Sequence, residues 1–283
     1  MNEKYEDIKV NSIGRRIILG FAAAAAALPI AVQMNVAHGA VEIPAALRGI
    51  KAMTFDIQGT LFDYYTPFIG ISADVGSRTA IHQNWPGFLA EWNAGAGSII
   101  QEVITKKRSW IPPGQVFRKS LDNLITARGL AAKFDEADRV ELMTVWSRMV
   151  PWHDSVTGIK SLQQKVTVAT LSNAGMAAVI GLVKHAGLAF DAVLSGELVH
   201  SYKPSPDVYR SASTYLGFPP SEIMMVAAHK FDLKAAKANG FRTAYIPRPF
   251  EIGPATKVDH SPEPYIDIIA RDLVALSANI EPA

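Results

Sequence analysis

The chain contains no cysteine. Disulfide frameworks, thiolate zinc sites, iron–sulfur clusters and cysteine nucleophiles are therefore excluded together. It also lacks an excess of either charge: 28 Lys and Arg against 26 Asp and Glu leave a formal +2. That is too little for the broad cationic face a phosphate backbone demands, so nucleic acid is not an expected partner. Apolar residues make up 49% and charged ones 19%, the balance of a chain that builds a core, which excludes intrinsic disorder. No internal repeat is present, and the one low-complexity tract is a run of alanines near the start.

That run lies in residues 17–32 (IILGFAAAAAALPIAV), an uncharged stretch that contributes much of the mean hydropathy of +0.12. It is shorter than the roughly 20 apolar residues that span bilayer hydrocarbon. Arg15 and Arg16 stand immediately before it, and Ala37-His38-Gly39-Ala40 after it offers small residues at signal-peptidase spacing. The whole resembles a twin-arginine export signal, with Gly14 before the pair and Ile18-Leu19 after it where Ser and Phe-Leu are usual. Residues 1–39 are thus expected to be a signal segment in transient membrane contact, and the mature chain, close to neutral, to be periplasmic. A retained membrane anchor and a buried amphipathic helix are the alternatives.

Beyond the signal, short apolar runs recur at 50–55, 166–171, 192–194, 223–227 and 242–246, separated by helical patterns. Strands alternating with helices predict an α/β fold with a parallel, doubly wound sheet. About a hundred residues between the first two runs carry helical periodicity at 73–107, 113–128 and 135–149, too long a stretch for a crossover. They predict an inserted helical cap over 67–152, with the α/β core formed by 40–66 and 153–283. The five tryptophans, Trp85, Trp92, Trp110, Trp146 and Trp152, lie in or beside this insertion and read mainly as cap core, with one or two lining a cavity. Ala94-Gly95-Ala96-Gly97 has no strand before it and reads as a helix break or a close helix contact rather than a phosphate loop. Residues 247–264, rich in proline, read as an irregular connection to a last helix at 266–277.

Open parallel sheets carry their sites at the carboxyl ends of strands. There the sequence offers Asp56-Ile57-Gln58-Gly59-Thr60-Leu61, Ser172-Asn173, Lys203-Pro204-Ser205-Pro206 and Ala228-His229-Lys230-Phe231-Asp232. An aspartate, a hydroxyl, a lysine and a second aspartate converging from separate strands make a nucleophilic-carboxylate constellation. Alone, Asp56 would read as a turn or cap residue and Lys203 as surface.

These four segments, in this order, resemble the haloacid dehalogenase superfamily, with Asp56 at the nucleophile position and the insertion where that superfamily carries its cap. The resemblance implies a Rossmann-like core. Two features separate the chain from the superfamily's phosphatases: Gln58 stands where they have a general acid, and Ala227 and Ala228 stand where they hold magnesium. Glutamine has no proton to give, and a phosphoryl group cannot readily approach a carboxylate without a cation between them. The losses match the type II (S)-2-haloacid dehalogenase branch, in which halide leaves without protonation.

The resemblance implies a hydrolase acting on carbon–halide bonds of a small 2-haloacid, with no cofactor and no metal. Asp56 would displace halide to form an aspartyl ester that water then cleaves. Lys203 would keep Asp56 ionised, Thr60 would fix its loop, and Asp232 would orient or activate the water. Ser172 would bind the substrate carboxylate, with Asn173 holding the loop around it. Tyr209 matches a site tyrosine or is a helical core residue, and His229 is a base near the water or a loop-bracing histidine. The branch's halide-receiving arginine, beside a tryptophan, corresponds here to Trp92-Asn93, leaving Asn93 or another cap residue such as Arg108 to receive halide. A magnesium-dependent phosphatase and a non-catalytic small-carboxylate-binding protein are the competing readings, and the apolar cap faces leave room for a homodimer.

Overall fold

A computed structural model describes residues 47–254 and 257–282; the expected export signal lies outside the described residues. In chain order the strands are β1 (Ala52–Phe55), β2 (Phe62–Asp63), β3 (Val150–Pro151), β4 (Thr167–Thr170), β5 (Ile223–Ala227), β6 (Arg242–Tyr245) and β7 (Ile268–Ile269). Between β2 and β3 run α1 (Tyr65–Thr79), α2 (Trp85–Ile104), α3 (Pro113–Ala127) and α4 (Glu136–Met143). The core helices are α5 (Ser155–Gln163), α6 (Met176–Ala186), α7 (Pro206–Leu216), α8 (Lys230–Ala238) and α9 (Leu273–Ala278).

β1 and β5 are buried at every residue. A parallel sheet covered on both faces buries both sides of each strand, which is why these segments read as continuous apolar runs rather than alternating ones. The sheet is parallel throughout, in the order β4-β1-β5-β6-β7. β1 sits between β4 and β5 in register, Phe55 opposite Thr170 on one side and Val226 on the other. The connections diverge there, and the residues just beyond these three strands open onto one crevice.

Three sequence expectations are corrected. The run at 192–194 is not a strand but makes isolated bridges, Ala169 to Ala192 and Ser172 to Ser195. The Thr170 hydroxyl intervenes: Oγ1 donates to the Leu194 carbonyl at 2.8 Å and accepts from the Leu194 N–H at 2.9 Å, replacing ladder bonds with side-chain bonds. The periodic stretch 73–107 is two helices, not one. α1 ends at Ala80 with φ 54°, and α2 starts after Asn84, whose side chain accepts from the Gly87 N–H, with Pro86 in its first turn. The expected last helix begins instead as β7, and α9 starts only after Asp272, which caps the Ala275 N–H at 2.6 Å.

The insertion packs around aromatic rings. Trp92 lies 5.3 Å from Trp146 and 6.1 Å from Phe68, and Trp146 lies 4.1 Å from Phe117, centroid to centroid. Gly95 lies in α2 at a close contact with α3, where a Cβ would fall 2.4 Å from Ser120 Oγ. The insertion begins and ends on an antiparallel ribbon, Phe62 opposite Pro151 and Asp63 opposite Val150. No helix among the described residues is long and apolar enough to cross a membrane.

Candidate active site

Asp56 follows β1 directly, its N–H donating to the Val226 carbonyl of β5 at 3.1 Å. The chain then turns tightly: Gly59 adopts φ +77°, and the Leu61 and Phe62 N–H groups both donate to the Ile57 carbonyl. Three successive carbonyls of this turn are held by side chains. Trp152 Nε1 donates to Gly59 O at 2.8 Å, Arg248 Nε to Thr60 O at 2.8 Å and Ser155 Oγ to Leu61 O at 2.7 Å. Arg248 is itself buried against Asp154, Nη1 to Oδ1 at 2.7 Å.

The turn presents the Asp56 carboxylate to three partners. Lys203 Nζ donates to Oδ1 at 2.9 Å, Thr60 Oγ1 donates to Oδ2 at 2.7 Å, and His229 Nδ1 lies 3.0 Å from Oδ2. Burial alone would raise the Asp56 carboxyl, but the Lys203 charge and the His229 hydrogen bond and charge overcome it and hold the group far below the carboxylate range. Asp56 is therefore a buried, ionised carboxylate at neutral pH.

Lys203, 3% exposed, also donates to Asp232 Oδ2 at 2.5 Å. Burial would lower its pKa, but Asp232 and Asp56 together raise it, so it remains a cation. Asp232 is fully buried, and its Oδ1 accepts from the Tyr209 hydroxyl at 2.7 Å. Burial and the Asp56 charge push Asp232 upward against the pull of Lys203. Asn173 braces the same lysine through its backbone, Oδ1 accepting from Lys203 N at 2.6 Å and Nδ2 donating to Lys203 O at 3.1 Å.

A cavity of about 210 Å³ opens over Asp56. Lys203, His229, Gln58 and Asn173 reach it from the core, and Asn93, Phe117 and Trp146 from the insertion. The sequence-derived residues thus divide. Asp56, Lys203, His229, Asn173 and Asn93 line the cavity, and Thr60 touches the Asp56 carboxylate. Ser172, Tyr209, Asp232 and Trp92 do not line it. Ser172 is buried with its hydroxyl accepting from the Ala174 N–H, Tyr209 lies behind Asp232, and Trp92 is buried with its indole N–H donating to Phe117 O at 2.8 Å. Arg108 also lies elsewhere, paired with Glu102 at 2.7 Å, and no arginine lines the cavity among the described residues.

Sequence reasoning missed Glu251. Its Oε1 lies 2.7 Å from His229 Nε2 and accepts from the Tyr64 hydroxyl at 3.4 Å. It lies directly over Gly59, where a Cβ would fall 2.2 Å from Oε1. Burial would lower the His229 pKa, but Glu251 and Asp56 raise it well above the ordinary histidine value. A glutamate between two exposed apolar residues, Phe250 and Ile252, was the only local signal.

A family model described as haloacid dehalogenase-like hydrolase matches residues 50–240. The chain is 31% identical over 212 residues to an (S)-2-haloacid dehalogenase of Xanthobacter autotrophicus, covering 70% of this chain and 76% of that one. It is 26% identical over 245 residues to a phosphoglycolate phosphatase of Neisseria meningitidis, covering 84% and 97%. Among solved structures, an L-2-haloacid dehalogenase 34% identical superposes with a TM-score of 0.74 over 81% of this chain and 98% of the other.

Proposed function

We propose that this chain, which belongs to the haloacid dehalogenase-like hydrolases, hydrolyses short 2-haloacids to 2-hydroxyacids through an ester on Asp56. The observation that carries this reading is a buried Asp56, paired with Lys203 at 2.9 Å, facing a small cavity in which Gln58 stands where the superfamily's phosphatases have an acid. A halide leaving group needs no proton, so an amide at that position costs the reaction nothing. One Asp56 oxygen attacks the halogen-bearing carbon from the rear, the carbon–halogen bond breaks, and halide leaves with its electron pair. Lys203 holds the nucleophile charged, and Thr60 holds it in place. Asn93, Phe117 and Trp146 line the same cavity from the insertion, and Asn93 offers an amide N–H to the departing halide. Water then attacks the ester carbonyl and frees the 2-hydroxyacid.

The match to a phosphatase keeps a second reading in view. The residues do not fit a magnesium ion. Asp56 Oδ1 is taken by Lys203 and Oδ2 by Thr60 and His229, while Ala227 and Ala228 offer no side-chain donor. Halide release measured by ion chromatography over a panel of 2-haloacids, with EDTA present, tests the proposal. Wild-type protein should release halide, and Asp56→Asn, still folded, should release none. Phosphate release from a generic monoester that disappears with EDTA would overturn it.

A further inference from the structure

Ester cleavage needs a group that takes a proton from the attacking water. Asp232, expected for that role, is fully buried, with one oxygen held by Lys203 and the other by Tyr209. Gln58, Asn93 and Asn173 are amides, Tyr64 is a protonated phenol donating to Glu251, and Lys203 is a cation between two carboxylates. Among the groups lining the cavity, His229 and Glu251 remain.

They are built as a pair. His229 precedes α8 and reaches Asp56 with Nδ1 and Glu251 with Nε2, at 3.0 and 2.7 Å. Glu251 arrives from the connection after β6 and rests where Gly59 has no side chain, with the Tyr64 hydroxyl against it. The groups facing the ring are thus Asp56 and Glu251 directly, Lys203 and Asp232 behind Asp56, Tyr64 behind Glu251, and the Phe231 ring alongside at 5.6 Å.

We infer that Glu251 is a positioning residue that makes His229 the base for hydrolysis of the Asp56 ester, an inference that rests on the dehalogenase reading. In the resting enzyme both ring nitrogens donate to carboxylates, and His229 is an imidazolium. Alkylation of Asp56 removes one of those negative charges, and the ring releases a proton to solvent. Glu251 retains the Nε2–H, so the freed lone pair is on Nδ1, the nitrogen beside the ester. Nδ1 then takes one proton from water as the hydroxyl oxygen bonds to the carboxyl carbon of Asp56. Collapse breaks the bond between that carbon and the substrate oxygen, and the departing alkoxide takes the remaining water proton. The hydroxyacid leaves, Asp56 is again a carboxylate and His229 again an imidazolium. One proton and one halide are released per turnover, as the overall hydrolysis requires.

Glu251→Gln tests the inference in the full-length protein by rapid-quench halide release and steady-state turnover. Glutamine removes the charge and can present an N–H to Nε2, turning the ring's remaining proton toward the ester. The variant should keep a halide burst near one per active site, because ester formation does not use the base. Its steady-state turnover should fall by about a hundredfold, the lower end of the range for general-base catalysis. The ester should accumulate as added mass on the Asp56 peptide. The acid limb of kcat should move to lower pH, since the carboxylate that favours imidazolium is gone. His229→Asn should likewise keep the burst and lose turnover. Equal loss of burst and turnover in a variant with wild-type melting would overturn the inference, as would turnover and an acid limb unchanged from wild type. A wild-type protein that releases no halide from any 2-haloacid would remove the dehalogenase reading itself.

Discussion

Replacing Lys203 with methionine, a side chain of similar length without charge, removes the cation from a buried cluster it forms with two carboxylates. Lys203 Nζ lies 2.9 Å from Asp56 Oδ1 and in direct contact with Asp232 Oδ2, and all three residues are buried. Breaking a buried ion pair from one side costs about 3 to 5 kcal/mol, because the remaining charge stays uncompensated. In a domain of this size that corresponds to a fall in Tm of roughly 6 to 20 °C. The pH dependence identifies the cause. Asp56 is held far below the carboxylate range in the native state, so its contribution to stability is present above the unfolded carboxylate range and is lost only in strong acid. Without Lys203 both carboxylates rise, and the pair takes up a proton on mild acidification. The variant's deficit should be largest near pH 8 and shrink at pH 5, read by thermal melts followed by circular dichroism. A deficit below about 1 kcal/mol at pH 8, or one that grows toward pH 5, would refute the account of Lys203 as the shared counter-ion.

Gly59→Ala should disturb the site through Glu251: a Cβ there falls 2.2 Å from Oε1 on a backbone with φ +77°, so turnover should fall although no lining side chain is altered. A steady-state assay giving wild-type kcat would show that Glu251 can move aside without consequence. Thr170→Val should cost about 2 kcal/mol in urea denaturation, since the Leu194 N–H and carbonyl both lose their partner in a buried position. A loss under half that size would mean the 192–195 segment closes the gap with backbone bonds of its own.

The strands and the strand-end residues were legible because a covered parallel sheet demands unbroken apolar runs and turns its polar residues to the carboxyl edge. Asp56 and Lys203 could be found that way, and they meet. What a side chain does behind the first layer was not legible. Asp232 stands at the expected position, yet its oxygens are occupied by Lys203 and Tyr209, a fact set by how α7 packs on α8. Trp92 and Asn93 are adjacent in sequence, but one helical step of about 100° turns the first into the aromatic core and the second into the cavity. Glu251 was hidden because it sits on an irregular connection with no periodicity to place it, and only the space above Gly59 explains its position. The 192–194 run failed as a strand because apolarity does not reveal that a threonine hydroxyl on its neighbour captures the ladder bonds.

The short β2–β3 ribbon brings the two ends of the helical excursion side by side, Phe62 opposite Pro151. An excursion that leaves and returns at one point imposes no length on the sheet beneath it. Trp152, Ser155 and Arg248, which clamp the turn after Asp56, all lie outside it. The cavity walls contributed by the helices, Asn93, Phe117 and Trp146, all lie within it. The turn and one face of the cavity are therefore carried on separate stretches of chain: the helices can be lengthened, shortened or exchanged, and the cavity reshaped, while the Asp56 carboxylate keeps its position.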